Sequence, residues 1–104
     1  MDYFLTISDE ASENVKNIVT YLKKEWTRKS VLNFQKDLTI CFQDLLLHPH
    51  DWLLVDKDRE IRKYQISKHN SAFYRVKGKE IEIITVFDHR RNPDNLRELL
   101  RKLE

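Results

Sequence analysis

The hydrophobic period changes half-way along the chain, and this change constrains the fold more than any other feature. Between Ala11 and Leu45 the apolar residues recur every three or four positions, which is the period of an amphipathic α-helix. Between residues 60 and 87 the chain is rich in β-branched and aromatic residues, and its apolar runs are separated by turn-forming residues. The sequence therefore predicts helices in the first half, strands in the second, and an α+β fold.

Two helices are predicted in the first half. Ser8 suits a helix N-cap, and Asp9 and Glu10 then lie in the first turn, where the helix dipole favours acidic residues. The core stripe of this helix comprises Ala11, Val15, Ile18, Val19, Leu22 and Trp26. Residues 27–30 interrupt the pattern, and Ser30 is the predicted cap of the second helix. The core stripe of that helix comprises Val31, Phe34, Leu38, Cys41, Phe42 and Leu45, and the helix is expected to stop at Pro49. Two helices joined by a short turn make an αα-hairpin.

Strands are predicted at residues 3–7, 60–66, 72–76 and 80–87, the last three as an antiparallel meander with turns at 68–71 and 77–79. The last run is apolar on both faces from Ile83 onward, which predicts a central strand. Trp52, with residues 53–55, is predicted to form a flap that closes the core. A final helix is expected to begin at Asn92 and Pro93, with Leu96, Leu99, Leu100 and Leu103 on one stripe. The predicted order is β-α-α-β-β-β-α.

The length and composition limit what this fold can be. The chain has 104 residues, of which 40% are hydrophobic, enough for one core and too few for two. We therefore expect a single domain over residues 1–104. The chain has no long apolar run and no signal-peptide pattern at its start, and Cys41 is its only cysteine. These features predict a cytoplasmic protein with no membrane association and a buried thiol.

Charge is distributed unevenly between the two halves. Residues 1–56 contain 6 basic and 9 acidic residues, a net charge of −3, whereas residues 57–104 contain 13 and 8, a net charge of +5. A basic half favours an anionic partner, although most charges on a small domain only keep it soluble.

The end of the last predicted strand is the most distinctive polar segment. Asp88, His89, Arg90 and Arg91 follow directly on a buried run. A histidine has a pKa near neutrality, which suits it to proton transfer.

Arg62 is the second candidate, because alternation places it on the same strand face as Tyr64 and Ile66. If that face is the concave one, the planar guanidinium of Arg62 is a suitable phosphate clamp. The alternative is a structural salt bridge to an acid such as Glu82 or Asp88.

A metal site is not expected. His48, His50 and Asp51 lie close together in sequence, but a His-x-His pair supplies too few ligands for a closed zinc site, and histidines after a helix commonly interact with free carbonyl groups. No cofactor is expected either.

Residues 61–93, "IRKYQISKHNSAFYRVKGKEIEIITVFDHRRNP", resemble the RelE/ParE superfamily of type II toxin–antitoxin systems. The similarity lies in Arg62 opening a strand, in the Tyr74–Val76 strand, and in the acid-His-Arg-Arg end, together with the element order. The resemblance implies an antiparallel sheet with the αα-hairpin packed on one face, a C-terminal helix and a concave opposite face. It also implies a cognate antitoxin as partner, with Arg62, Tyr74 and Arg91 as candidate contacts, and operator DNA bound only through that antitoxin.

Two activities follow from the resemblance. A RelE-like toxin is a ribosome-dependent mRNA endonuclease. By that analogy His89 is the general base or acid. Arg62 stabilises the phosphate charge, with help from Lys57, Arg90 or Arg91. Asp88 or Glu60 supplies a carboxylate that orients the catalytic groups. The family pattern also has a tyrosine or histidine near the C-terminus, and no tyrosine follows Tyr74 here.

A ParE-like toxin acts on DNA gyrase without ribonuclease chemistry, so Arg90 and Arg91 contact the target surface. The strand end "HRRNP" (89–93) and the "KHN" and "FYRV" segments favour this reading. A third alternative is a degenerate, non-toxic module that only binds its antitoxin.

Overall fold

The computed structural model describes residues 2–90, so the predicted final helix at 92–103 lies outside the described residues. The described chain folds in the order β1 (Phe4–Ile7), α1 (Asp9–Glu25), α2 (Arg28–Leu47), β2 (Leu53–Asp56), β3 (Ile61–Gln65), β4 (Asn70–Lys77) and β5 (Glu80–Asp88). No helix in this part of the chain is long and apolar enough to cross a membrane.

The strands form one sheet in the order β1-β5-β4-β3-β2. Strands β2 to β5 pair antiparallel, and β3, β4 and β5 form the predicted meander. Strand β1 pairs in parallel with β5, from Phe4 opposite Glu80 to Ile7 opposite Ile83. The predicted α+β fold class and the interior position of β5 are confirmed, and the sheet is mixed because β1 runs parallel to its neighbour.

Strand β2 corrects the prediction of a flap. Leu53 pairs with Lys63 and Leu54 with Arg62, so these residues form the edge of the sheet. The sequence pattern missed this strand because it is only four residues long and both leucines are exposed, at 64% and 41%. Trp52 does help close the core, since its ring packs edge-on against Tyr64 at a centroid distance of 4.6 Å.

One of the two predicted helix caps is confirmed. The Oγ of Ser8 accepts a hydrogen bond from the Ala11 amide at 3.0 Å. Helix α2 begins earlier than predicted, because its cap is Thr27, whose Oγ1 accepts from the Ser30 amide at 3.2 Å. Trp26, predicted on the core stripe, is 51% exposed because α1 ends beside it.

The main core lies between the helices and one face of the sheet. It is formed by buried side chains of α1, α2 and the strands: Ala11, Ile18, Leu22, Phe34, Cys41, Leu45, Tyr64, Tyr74, Ile81, Ile83 and Val86. The prediction that Cys41 is a core residue is confirmed. Burial, together with the nearby Asp44 carboxylate, raises the pKa of the Cys41 thiol to about 12, so the thiolate required for reaction is scarce.

A β-bulge in β5 decides which side chains face the helices. Tyr74 pairs with Ile83 but Phe73 pairs with Thr85, so Ile84 is an extra residue. Ile81 and Ile83 face the helices before the bulge, and Val86 does so after it. The opposite side, here called the far face, has a second buried cluster of Ile61, Phe73 and Phe87 with Val55 and Ile84 packed against it.

The edge of β5 beyond the end of β1 is closed by side chains and not by a strand. Ser8 Oγ donates to the Ile84 carbonyl at 2.6 Å. Asn14 of α1 accepts through Oδ1 from the Val86 amide at 3.0 Å and from Thr85 Oγ1 at 2.7 Å. These contacts fix α1 against β5 and so fix the position of the strand end.

Candidate functional site

Asp88 fixes the polar segment at the end of β5. Asp88 is 4% exposed, and its Oδ1 accepts hydrogen bonds from the backbone amide of Arg90 at 3.0 Å and from the Arg90 guanidinium at 3.3 Å. The other oxygen, Oδ2, is buried and has no hydrogen-bond partner in the described part of the chain. Asp88 therefore positions Arg90.

Arg90 points back to the end of α1. The centre of its guanidinium lies 5.5 Å from the ring centroid of Tyr21 and 5.6 Å from that of Trp26, within the range of cation–π interactions. The indole N–H of Trp26 donates to the Tyr21 hydroxyl at 3.3 Å. The predicted target-binding arginine is thus fixed on the helix side of the sheet by an acid and two aromatic rings.

His89 points to the far face. Its Nε2 lies 2.9 Å from Ser71 Oγ, its ring meets Phe87 edge-on at 5.1 Å, and its backbone amide donates to the His69 carbonyl at 2.8 Å. Ser71 Oγ also donates to Gln65 Oε1 at 3.3 Å, so a short polar chain runs from Gln65 through Ser71 to His89.

The surroundings of His89 favour the neutral imidazole. Burial lowers the pKa of His89 below its usual value, the positive charge of Lys63 lowers it further, and the opposing effect of Asp88 is smaller. A neutral ring near pH 7 is suited to accept a proton. Lys63 lies on the same side of the sheet, because it pairs with Phe73 of the far-face cluster.

The structure does not bring Arg62 to His89. Arg62 pairs with Tyr74, and Tyr74 with Ile83, so it lies in a row on the helix-facing side. Its Nη1 donates to the backbone carbonyl of Trp52 at 2.8 Å. The expectation that Arg62 lies on the concave face is wrong, and neither Glu82 nor Asp88 is its partner. Glu82 pairs with Arg75, and Asp88 pairs with Arg90.

Other predicted contact residues have different surroundings. Tyr74 is completely buried, and its hydroxyl donates to the Pro49 carbonyl at 2.7 Å, so the side chain does not reach a partner surface. Lys57 and Glu60 are exposed in the β2–β3 turn, away from the end of β5. Arg91 lies outside the described residues.

Among residues 2–90 no group of three or more His, Cys, Asp or Glu side chains forms a metal site. His48 Nδ1 lies 3.5 Å from Asp51 Oδ2, with both side chains exposed, and the His50 ring meets Tyr3 edge-on at 6.3 Å.

Sequence reasoning missed the partners that organise this region. Ser71 is fully buried beside His89, and Tyr21 lies against Arg90. Ser71 occupied a predicted turn, and a single serine or tyrosine has no spacing pattern that marks it. The bulge at Ile84 was also unmarked, although it determines the face on which His89 lies.

The family model for the ParE toxin of type II toxin–antitoxin systems matches residues 5–93, which contain every described helix and strand except the first residue of β1. This chain belongs to the ParE toxin family. The predicted membership of the RelE/ParE superfamily is confirmed, and the chain is a toxin of the type II toxin–antitoxin class.

Solved structures agree with this ParE fold. The chromosomal ParDE toxin–antitoxin system of P. aeruginosa matches with a TM-score of 0.70 at 19% identity, over 83% of this chain and 95% of that one. The E. coli DinJ–YafQ toxin–antitoxin complex matches with a TM-score of 0.61 at 12% identity, over 88% and 98%. A copper-bound mutant toxin from Helicobacter pylori has a TM-score of 0.61 at 17% identity, over 88% and 99%. At these identities the likeness establishes the fold of the ParE chain, and a search of curated proteins finds no relative.

Proposed function

We propose that this chain is a growth-inhibiting toxin that acts on DNA gyrase in the cytoplasm and is neutralised by a cognate antitoxin. The observation that carries the choice of target is the separation of His89 from Arg62. RNA cleavage needs a base and a cation within reach of one phosphate. His89 lies on the far face and Arg62 on the helix-facing side, where a backbone carbonyl holds it. The sheet separates the pair on which the ribonuclease prediction depends.

The match of the ParE family model supports the same target, because ParE-like toxins act on gyrase by the resemblance described above. In this proposal Arg90 contributes to the contact surface and performs no proton transfer. Its fixed position against Tyr21 and Trp26 suits recognition, because a pre-positioned side chain loses little conformational freedom on binding.

The antitoxin is expected to cover an apolar line on α2. Leu32, Ile40 and Leu47 are exposed at 54%, 42% and 72%. At 3.6 residues per turn they fall within an arc of about 80° on one side of the helix. A line of exposed aliphatic side chains on one helix face suits a partner helix or strand with its own apolar stripe. Operator DNA is then bound through the antitoxin.

A second candidate, mRNA cleavage, has one observation in its favour. Lys63 lies on the far face and influences His89, so it offers a cation close to a neutral imidazole. This set differs from the predicted one, because Lys63 replaces Arg62.

Induction of the chain in a bacterium without its antitoxin tests the proposal. We expect growth arrest, intact transcripts by primer extension, and a gyrase-dependent loss of negative supercoiling in a reporter plasmid. His89→Gln and Lys63→Met are expected to retain the arrest. Codon-positioned transcript cuts that disappear in either variant would establish mRNA cleavage instead, and normal growth of cells that contain folded protein would support the non-toxic module.

A further inference from the structure

A cleft opens where the bend of the helical hairpin meets the end of the sheet. It has a volume of about 220 Å³, and its walls come from the hairpin bend, the β3–β4 turn and the end of β5. The polar lining includes Ser30, Asn33, Asp37, Ser67, Asn70 and Arg90, and the indole of Trp26 forms one wall. This size and lining suit one planar polar group.

The start of α2 breaks an electrostatic rule beside this cleft. The positive end of a helix dipole favours acidic residues in the first turn, and α1 follows the rule with Asp9 and Glu10. The first turn of α2 has no acidic residue and instead contains Arg28 and Lys29, both exposed. Two cations at the N-terminus of a helix are destabilised by the positive end of the helix dipole. The cations and the dipole together attract an anion. A local rule broken without a compensating structural contact is typical of a functional surface.

The residues before the bend add to this charge. Lys23 and Lys24 are exposed in the last turn of α1, so residues 23–29 contain four cations and only Glu25 as an acid. Trp26 lies at the centre of this segment and is half exposed. An exposed aromatic ring among cations is the combination that binds single-stranded nucleic acids, with phosphates on the cations and a base on the ring.

The inner wall of the cleft holds an unused hydrogen-bond donor. Asn70 is 3% exposed, its Oδ1 accepts from Ser67 Oγ at 2.9 Å, and its Nδ2 has no partner in the described chain. Asp88 lies directly opposite Asn70 in the β4–β5 register and has an unpartnered carboxylate oxygen. Asp88 is not among the described residues that line the cleft, so the Nδ2 group of Asn70 is the unpartnered group available there, and it matches an acceptor on the edge of a nucleobase.

We infer that the hairpin bend binds single-stranded nucleic acid, with one unpaired base in the cleft beside Trp26 and the adjoining phosphates on Arg28 and Lys29. The indole of Trp26 is the stacking plane, and Asn70 donates to the base edge. This binding activity goes beyond the proposed action on gyrase and does not depend on it. RNA and single-stranded DNA share the required chemistry, and the experiment separates them.

Fluorescence anisotropy of labelled mixed-sequence dodecamers tests this inference, with single-stranded RNA, single-stranded DNA and duplex DNA as separate probes. We expect the purified chain to bind at least one single strand more tightly than the duplex, with an affinity that falls as salt rises. Arg28→Glu combined with Lys29→Glu should weaken binding tenfold or more. Trp26→Ala should weaken it by about fivefold or more, because base stacking contributes about 1–3 kcal/mol, and Trp26→Phe should restore most of the affinity.

The control is Lys16→Glu combined with Lys79→Glu, which makes the same change in charge at two exposed positions outside the bend. It should retain most of the affinity. The inference is overturned if single strands do not bind at about 100 µM protein, the weak end of non-specific affinity. It is also overturned if the duplex binds as tightly as the single strands, or if an acidic peptide displaces the oligonucleotide from the bend. Among the variants, it is overturned if the control loses as much affinity as the bend variant, or if Trp26→Ala binds with unchanged affinity. Growth arrest and supercoiling, measured on the same variants, show separately whether the action on gyrase holds.

Discussion

Arg62 and His89 lie on opposite faces of the sheet. Arg62 donates to the Trp52 carbonyl at 2.8 Å beside the helix-facing core, whereas His89 meets Ser71 Oγ at 2.9 Å and Phe87 on the far face. The two side chains that a ribonuclease reading joins in one site therefore have separate surroundings. Arg62 therefore links the sheet to the segment before β2.

Replacing Arg62 is expected to affect stability more than activity. Arg62→Met removes a charge-assisted hydrogen bond to a carbonyl and should lower the free energy of unfolding by about 1–3 kcal/mol, measured by urea denaturation. Lys63→Met, at the next position of β3, is the matched control because it removes a cation from the other face. Equal losses in the two variants would contradict the structural role of Arg62.

Asn14 should be one of the most sensitive polar residues of α1. Asn14→Ala leaves the Val86 amide and the Thr85 hydroxyl without their acceptor, and an unsatisfied buried donor costs about 1–3 kcal/mol. Asn14→Asp keeps the acceptor and should retain more stability. Asn17→Ala, an exposed position on the same helix, should cost little. Thermal denaturation of the three variants measures the difference.

Replacement of Glu60 by glycine is expected to stabilise the folded chain. The Glu60 φ of 56° lies in the left-handed region, which disfavours residues with a Cβ, and the Glu60 side chain is exposed. Glu60→Gly should raise the free energy of unfolding by up to about 1 kcal/mol. Glu60→Ala retains the Cβ and so should not reproduce the gain; an equal gain in both variants would show that the glutamate charge, and not the backbone, is the cause.

His89 should titrate below the usual histidine range in the folded chain. Burial and Lys63 lower the pKa of His89, so the unfolded chain takes up its proton at a higher pH than the folded chain. The stability associated with the neutral ring is therefore present above a pH of about 6.5 and declines as the pH falls from there towards the lowered pKa. Proton NMR titration, with His89→Gln to assign the resonance, should give a midpoint below that value. A midpoint at or above it would contradict the described surroundings.

The helices and the meander were predictable because their side chains repeat with a regular period. Ala11, Ile18 and Leu22 are buried where the helical period places them, and Ile81 and Ile83 where strand alternation does. Edge strand β2 was not predictable, because exposed leucines at 53 and 54 give no alternation. The residues that surround His89 were harder still to predict, since the contact between Ser71 and His89 depends on pairing register and not on local sequence.

The extra residue at Ile84 affects how positions are matched between members of this family. If β5 alternated regularly from Ile83, Phe87 and His89 would face the helices, and Val86 and Asp88 would lie on the far face. The extra residue at Ile84 reverses this, and its deletion would restore regular pairing while leaving these four side chains on their present faces. An ungapped alignment with a relative that lacks this extra residue equates residues from opposite sides of the sheet on one side of the bulge, even when the letters at the strand end agree. Functional residues at the end of β5 should therefore be matched by strand register, starting from Tyr74 opposite Ile83, and not by counting back from the arginines.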